Sequence, residues 1–246
     1  GKVDRSIPIW KWVLRSFKAL TMIDLPEVTL ICVSSINFEQ TLYAFRKSMQ
    51  GINFGAVKLV SDQDRPDFEQ YGITVEKCPK ITSIDEYSHY MIYELHKHVD
   101  TTHCITIQGD GFIINPDKWD PFWLEFDYIG APWEHSDGAY IDPWGEHQRV
   151  GNGGFTLRSK KLLEVPQHAY VHFDVNWGDF YKHMDANNTA EDGCICVHNR
   201  HIYEVLGCKF APVNVAARFS HERPTPETRG ITPFGFHYHL PAGTVL

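Results

Sequence analysis

The sequence predicts an α/β fold: a mostly parallel central sheet with helices on both faces, in a single domain. Three observations carry that reading. Near-continuous β-branched runs recur, amphipathic helical stretches alternate with them, and acids or small polar residues stand where the runs stop. At 246 residues the chain can bury a large core as one or at most two domains.

The elements follow in order. In residues 7–20, IPIWKWVLRSFKAL, the apolar Trp10, Val13, Leu14, Phe17 and Leu20 recur at helical spacing, with Lys11, Arg15 and Lys18 opposite. This basic amphipathic segment belongs to residues 1–24, apart from a main domain over residues 25–246. It would pack on that domain, form a dimer contact or lie on an anionic membrane surface. The run VTLICVSSI, Val28 to Ile36, reads as a buried strand. The helix after it takes Asn37 as its cap and turns Leu42, Phe45 and Met49 to one side. Ala56 to Asp62 forms a second strand, ITVEKCP a short third, DEYSHYMIYELHKHV a helix and HCITIQGD another buried strand.

In parallel sheets ligands bind beyond the carboxyl ends of the strands. Val33, Ser34, Ser35, Asp62 and Asp110 all lie where strands run out, so they converge on one crevice. Asp110 follows Gln108 and stands between Gly109 and Gly111. A carboxylate so placed is open to a metal ion that bridges phosphate oxygens, and equally serves as a plain turn residue.

Later motifs add chemistry. FWLEFDYIGAPW is densely aromatic and ends at Trp133. The loop VGNGGF then sets Gly151, Gly153 and Gly154 around Asn152 and ahead of Phe155 and a basic helix start. Its backbone can approach a ligand closely and its amide can read hydroxyls, although a tight bend has the same composition. Glu191 and Asp192 open an apolar helical run, where acids suit the helix dipole or act as a general base. PFGFHYHL supplies His237 and His239.

Composition narrows the partners. A formal charge of -8 and a pI near 5.9 argue against a nucleic-acid binder, which would normally carry a basic face, and leave a small anionic ligand open. Six cysteines without a CxxC pair read as free thiols in a reducing compartment. No apolar run spans a bilayer and no signal peptide opens the chain, so a cytoplasmic location, at most peripheral to a membrane, is expected.

The order of these motifs resembles the nucleotide-sugar glycosyltransferases of the GT-A fold, from Val28 to Leu240. FDYIGAPW and GNGGFTLRS are similar to a largely uncharacterised microbial and viral group among them. The resemblance implies a Rossmann-like GT-A domain, a UDP-sugar donor, a hydroxyl acceptor on a glycan or other molecule, an inverting reaction, and Mn²⁺ or Mg²⁺. By position it implies that Asp110 binds metal and phosphate, with His237 contacting the metal or diphosphate. Val33, Ser34, Ser35, Asp62, Gln108 and Gly109 would form the nucleotide side, joined by Tyr87 and Ser88. Trp133, Asn152, Gly153, Gly154 and Phe155 would flank the donor sugar and acceptor, and Asp192 beside Glu191 would be the base. Gln108 stands where the family motif has an acid, so it supplies no charge to the metal.

Two other classes remain open. A metal-dependent hydrolase could use His172-Phe-Asp174, His198-Asn-Arg-His201 and His237-Tyr-His239, although none has the HExxH zinc spacing. A non-catalytic sugar-binding module would keep the crevice without turnover.

Overall fold

The computed structural model describes residues 22–135, 140–173 and 188–246; the segment 7–20 and Asp174 lie outside them. The strands are β1 (Ile23–Val33), β2 (Ile52–Ser61), β3 (Thr74–Lys77), β4 (His103–Thr106), β5 (Gly111–Ile113), β6 (Tyr128–Ile129), β7 (Thr156–Ser159), β8 (Ser220–His221) and β9 (Gly235–His237). The helices are α1 (Phe38–Ser48), α2 (Pro66–Glu69), α3 (Ile84–Tyr93), α4 (Lys160–His168), α5 (Glu191–Gly193), α6 (Arg200–Val205) and α7 (Val213–Phe219).

β1 explains the continuous apolar run. Leu30 and Cys32 enter one core while Ile31 and Val33 enter the other, and all four are buried. A strand apolar on both faces needs cover on both. α1 with Phe45 and α7 with Phe219 supply it on one side. α3 with Met91 and Ile92, α4 with Leu162, and the π-helical turn Cys194–His198 after α5 supply it on the other.

The central sheet runs β3-β2-β1-β4-β7-β6. Its first four strands are parallel, as expected. β7 then lies antiparallel on β4, with His103 opposite Ser159, and β6 lies antiparallel on β7. β7 had no signature of its own, because its four residues merge into a glycine loop on one side and α4 on the other. A second sheet, β5-β9-β8, stands beyond the end of β4.

One local expectation is corrected. Asn37 precedes α1 in a left-handed conformation, φ 53°, and makes no side-chain cap; its carbonyl takes the Thr41 N–H instead. The aromatic run is largely core: Trp123 packs edge-on to Phe219 at 5.2 Å and Tyr128 is fully buried, leaving Phe122 exposed. The six cysteines are free, five of them buried. Among the described residues no helix is long and apolar enough to cross a membrane.

Candidate active site

β4 ends in a reversal. Gln108 and Gly111 exchange backbone hydrogen bonds of 2.8 and 3.1 Å, so Gly109 and Asp110 form a tight turn into β5. Glycine is needed at both flanks: a Cβ on Gly109 would come 2.8 Å from Gln40 Cβ, and one on Gly111 2.6 Å from the Gly154 carbonyl. Between them the Asp110 side chain is 54% exposed. Gln108 turns its amide to the Tyr87 hydroxyl at 2.9 Å, so it positions that phenol.

The pairing of β9 with β5 sets His237 opposite Gly111, and the Tyr238 N–H donates to the Asp110 carbonyl at 2.7 Å. His237 Nδ1 faces two acceptors, Asn152 Oδ1 at 3.0 Å and Glu222 Oε1 at 3.1 Å. The Asn152 amide donates to the other Glu222 oxygen. Two acceptors place the imidazole proton on Nδ1. Nε2 lies 3.9 Å from Asp110 Oδ1. Burial alone would lower the His237 pKa; the hydrogen bond and charge of Glu222, then Asp110 and Asp192, outweigh it and raise it. Burial would raise Glu222, but the His237 hydrogen bond and charge and the Asn152 hydrogen bond bring it below the usual carboxylate range.

The glycine loop is built for close packing. A Cβ on Gly154 would overlap the His237 ring, one on Gly153 the Glu191 carboxylate, and one on Gly151 the Trp133 indole. Asn152 holds φ 63°, a left-handed conformation Asn tolerates better than most residues. The loop also holds Asp192: Gly153 N–H donates to Oδ2 at 3.0 Å, while the adjacent Gly193 N–H of α5 donates to Oδ1 at 2.7 Å. Burial and the neighbouring Glu191 charge push the Asp192 pKa up to about 6, against the pull of those two N–H groups.

The paired acids have different partners. Glu191 Oε1 meets Arg158 Nη2 at 2.9 Å, and both side chains are buried. Arg158 also donates to Thr156 Oγ1 at 2.8 Å and lies over the Tyr128 ring. Glu191 is thereby tied to Arg158, while Asp192 meets the loop.

Among the strand-end residues, Val33 is buried, Ser34 N–H donates to Val60 O at 3.0 Å, and Ser35 Oγ accepts the Ile81 N–H at 3.2 Å. Asp62 Oδ1 and Ser88 Oγ are buried and find no hydrogen-bond partner among the described residues. A buried carboxylate oxygen without a donor costs free energy that a ligand hydroxyl or N–H would recover. Burial, with the nearby Glu191 and Cys32, pushes the Tyr87 phenol up.

The two aromatic candidates are both buried. Phe155 is fully buried and stacks on Phe219 at 4.9 Å, so it is core. Trp133 is buried against Gly151 and stacks on Tyr140 at 4.2 Å. Sequence reasoning missed Glu222 and Arg158. Glu222 sits in SHER without pattern, and Arg158 falls in TLRS, within what reads as the basic start of a helix.

The donors suit a divalent ion only in part. Asp110 offers an exposed carboxylate, and His237, its Nδ1–H held by Glu222 and Asn152, offers an Nε2 lone pair when neutral. Among the described residues no three His, Cys, Asp or Glu side chains gather as a metal site. Two protein donors fit an ion that completes its shell with phosphate oxygens and water. His198 is pushed down to about 4 by burial, so it is neutral at ordinary pH.

A family model described as "Protein of unknown function (DUF5672)" matches residues 72–237, and the chain belongs to that family. No curated protein matches it. Among solved structures, the glycosyltransferase GlyE of Streptococcus pneumoniae TIGR4 is similar at 12% identity and TM-score 0.43, over 87% of this chain and 55% of that one. This chain thus spans little more than half of GlyE. A glycosyltransferase involved in glycosylation of the major capsid of PBCV-1 is similar at 11% identity and TM-score 0.49, covering 89% and 94% of the two chains. An active-site mutant of LgtC is similar at 14% identity and TM-score 0.47, covering 87% and 88%. Likeness at this level does not carry an activity from those proteins to this one.

Proposed function

We propose that the chain is a glycosyltransferase that moves a sugar from a nucleotide-sugar donor, a UDP-sugar first among them, to an acceptor hydroxyl with inversion. One observation carries the reading. The glycine loop brings Asp192, a carboxyl whose pKa lies near neutrality, together with His237, whose ring is set beside Asp110. A base on one side and diphosphate-binding groups on the other are what displacement at an anomeric carbon requires.

In that displacement the acceptor oxygen attacks the anomeric carbon, its proton passes to Asp192, and the bond to the diphosphate oxygen breaks as the diphosphate leaves. The two backbone N–H groups on Asp192 fix its carboxylate, and Arg158 ties the neighbouring Glu191 into an ion pair. With no metal bound, His237, protonated and held by Glu222, places positive charge toward the leaving group. When neutral, it and Asp110 would instead hold Mn²⁺ or Mg²⁺, which would neutralise diphosphate charge as a Lewis acid. The unpartnered Asp62 Oδ1 would take a donor from the nucleoside.

The test is thermal unfolding with UDP, GDP and dTDP, each with and without Mn²⁺, followed by product analysis with the matching UDP-sugars. A nucleotide at about 100 times its dissociation constant stabilises by roughly 2.7 kcal/mol. No shift with any nucleotide sinks the reading.

A further inference from the structure

The β5/β9 ribbon that carries the Asp110 turn has two faces. Gly111 and His237 lie against Gly154 on one. Phe112 and Phe236, the next pair in register, belong to the other, where α1 packs and Tyr43 meets Phe112 edge-on at 5.8 Å. On this second face lies a cavity of about 610 Å³ between α1, the Gly109–Asp110 turn and Leu240. Its volume falls within the range of small-ligand sites. Its lining takes in Gly109 and Asp110 of the turn, and neither Asp192 nor His237.

We infer that this cavity binds a saccharide unit behind the Asp110 turn, as a subsite for a non-reacting part of the acceptor glycan. The inference rests on the glycosyl-transfer reading for the word acceptor, and on the lining for the ligand class. Tyr43, 43% exposed, offers an aromatic surface at the mouth, above the buried Phe112 and Phe236 of the cavity wall. Around them stand Glu39, Gln40, Arg46 and Asp110. An anionic ligand would meet two carboxylates, and a cationic one the Arg46 guanidinium, which lies over the Tyr71 ring. A purely apolar ligand would strand four polar side chains. A neutral ring with an apolar face and hydroxyls that both donate and accept satisfies all of them, and that is a sugar.

The experiment is saturation-transfer NMR on the full chain with cellobiose, lactose and xylobiose, in the absence of nucleotide. Wild type should give signal with at least one, and Asp192→Asn should keep it. Tyr43→Ala, which removes the stacking ring, and Leu240→Trp, which fills the mouth from an exposed position, should each bind about tenfold more weakly. Melting curves of both variants establish that they fold. Equal signal in wild type and in both folded variants, or no signal with any of the three sugars, overturns the inference. The UDP-dependent melting shift of wild type reads the other crevice: its absence sinks the transfer reading alone, and the saccharide result stands apart from it.

Discussion

Glu222 holds His237 at the ring nitrogen turned away from Asp110: Oε1 lies 3.1 Å from Nδ1, while Nε2 lies 3.9 Å from the Asp110 carboxylate. Glu222→Gln keeps the shape and removes the charge. Groups that orient a ligating histidine typically cost about 10–100-fold in affinity or activity when replaced. Transfer should fall by that factor and the His237 imidazole should titrate lower, as read by kcat/KM and an NMR pH titration. Stability has a sign as well. The lowered Glu222 pKa contributes above 4.5 and fades as pH falls, while the raised His237 pKa contributes below 6.5 and fades as pH rises through its folded value. Wild type should therefore outmelt the variant most between pH 4.5 and 6.5. An unchanged titration would show that Glu222 does not set this ring.

Gly153 and Gly154 should fail differently. Neither has a positive φ, so alanine meets a neighbour rather than backbone strain. Gly154→Ala pushes on the His237 ring, and a displacement of that kind can cost about 10²-fold in rate with the fold retained. Gly153→Ala pushes on Glu191 and opens its ion pair with Arg158. Breaking a buried pair costs about 3–5 kcal/mol, so this variant should lose stability first. Parallel melting and kcat/KM measurements separate the two, and equal losses in both would contradict the packing roles.

Much of this was legible because it follows from periodicity and strand-end logic. β1, β2 and β4 announce themselves by apolar runs, and Asp62 and Asp110 fall where those runs stop. β7 was hidden because four residues show no period of their own, and with it went the burial of Arg158. Phe155 was misplaced for a related reason: a glycine loop looks open in sequence, yet its last residue turns inward at the first residue before a buried strand. Glu222 could not be found at all, since its meaning depends on β8 lying parallel to β9, a long-range pairing.

Asp192 should give the pH profile of transfer. With its pKa near 6, kcat/KM should rise with pH through about 6 and level off above, as the base becomes ionised. The same raised pKa contributes stability that is full below 3.8 and lost as pH rises through about 6. Asp192→Asn should lower transfer about 10²–10⁴-fold, abolish that limb and leave UDP binding intact. A variant that keeps the limb would assign the titration to another group.

Phe155 decides between core and sugar contact. The ring is fully buried, stacked on Phe219 and tilted against Phe234, and the Gly235 backbone packs against its edge. Phe155→Ala should therefore cost about 3–5 kcal/mol, the usual loss for a buried phenylalanine. For a chain of this length each kcal/mol moves the melting temperature by about 2–4 °C, so the drop should be on the order of 6–20 °C. Below that melting point the variant should bind UDP with wild-type affinity, because the Phe155 side chain points into the core and not into the crevice. A variant with unchanged melting and lost transfer would return Phe155 to the sugar site and contradict the packing described here.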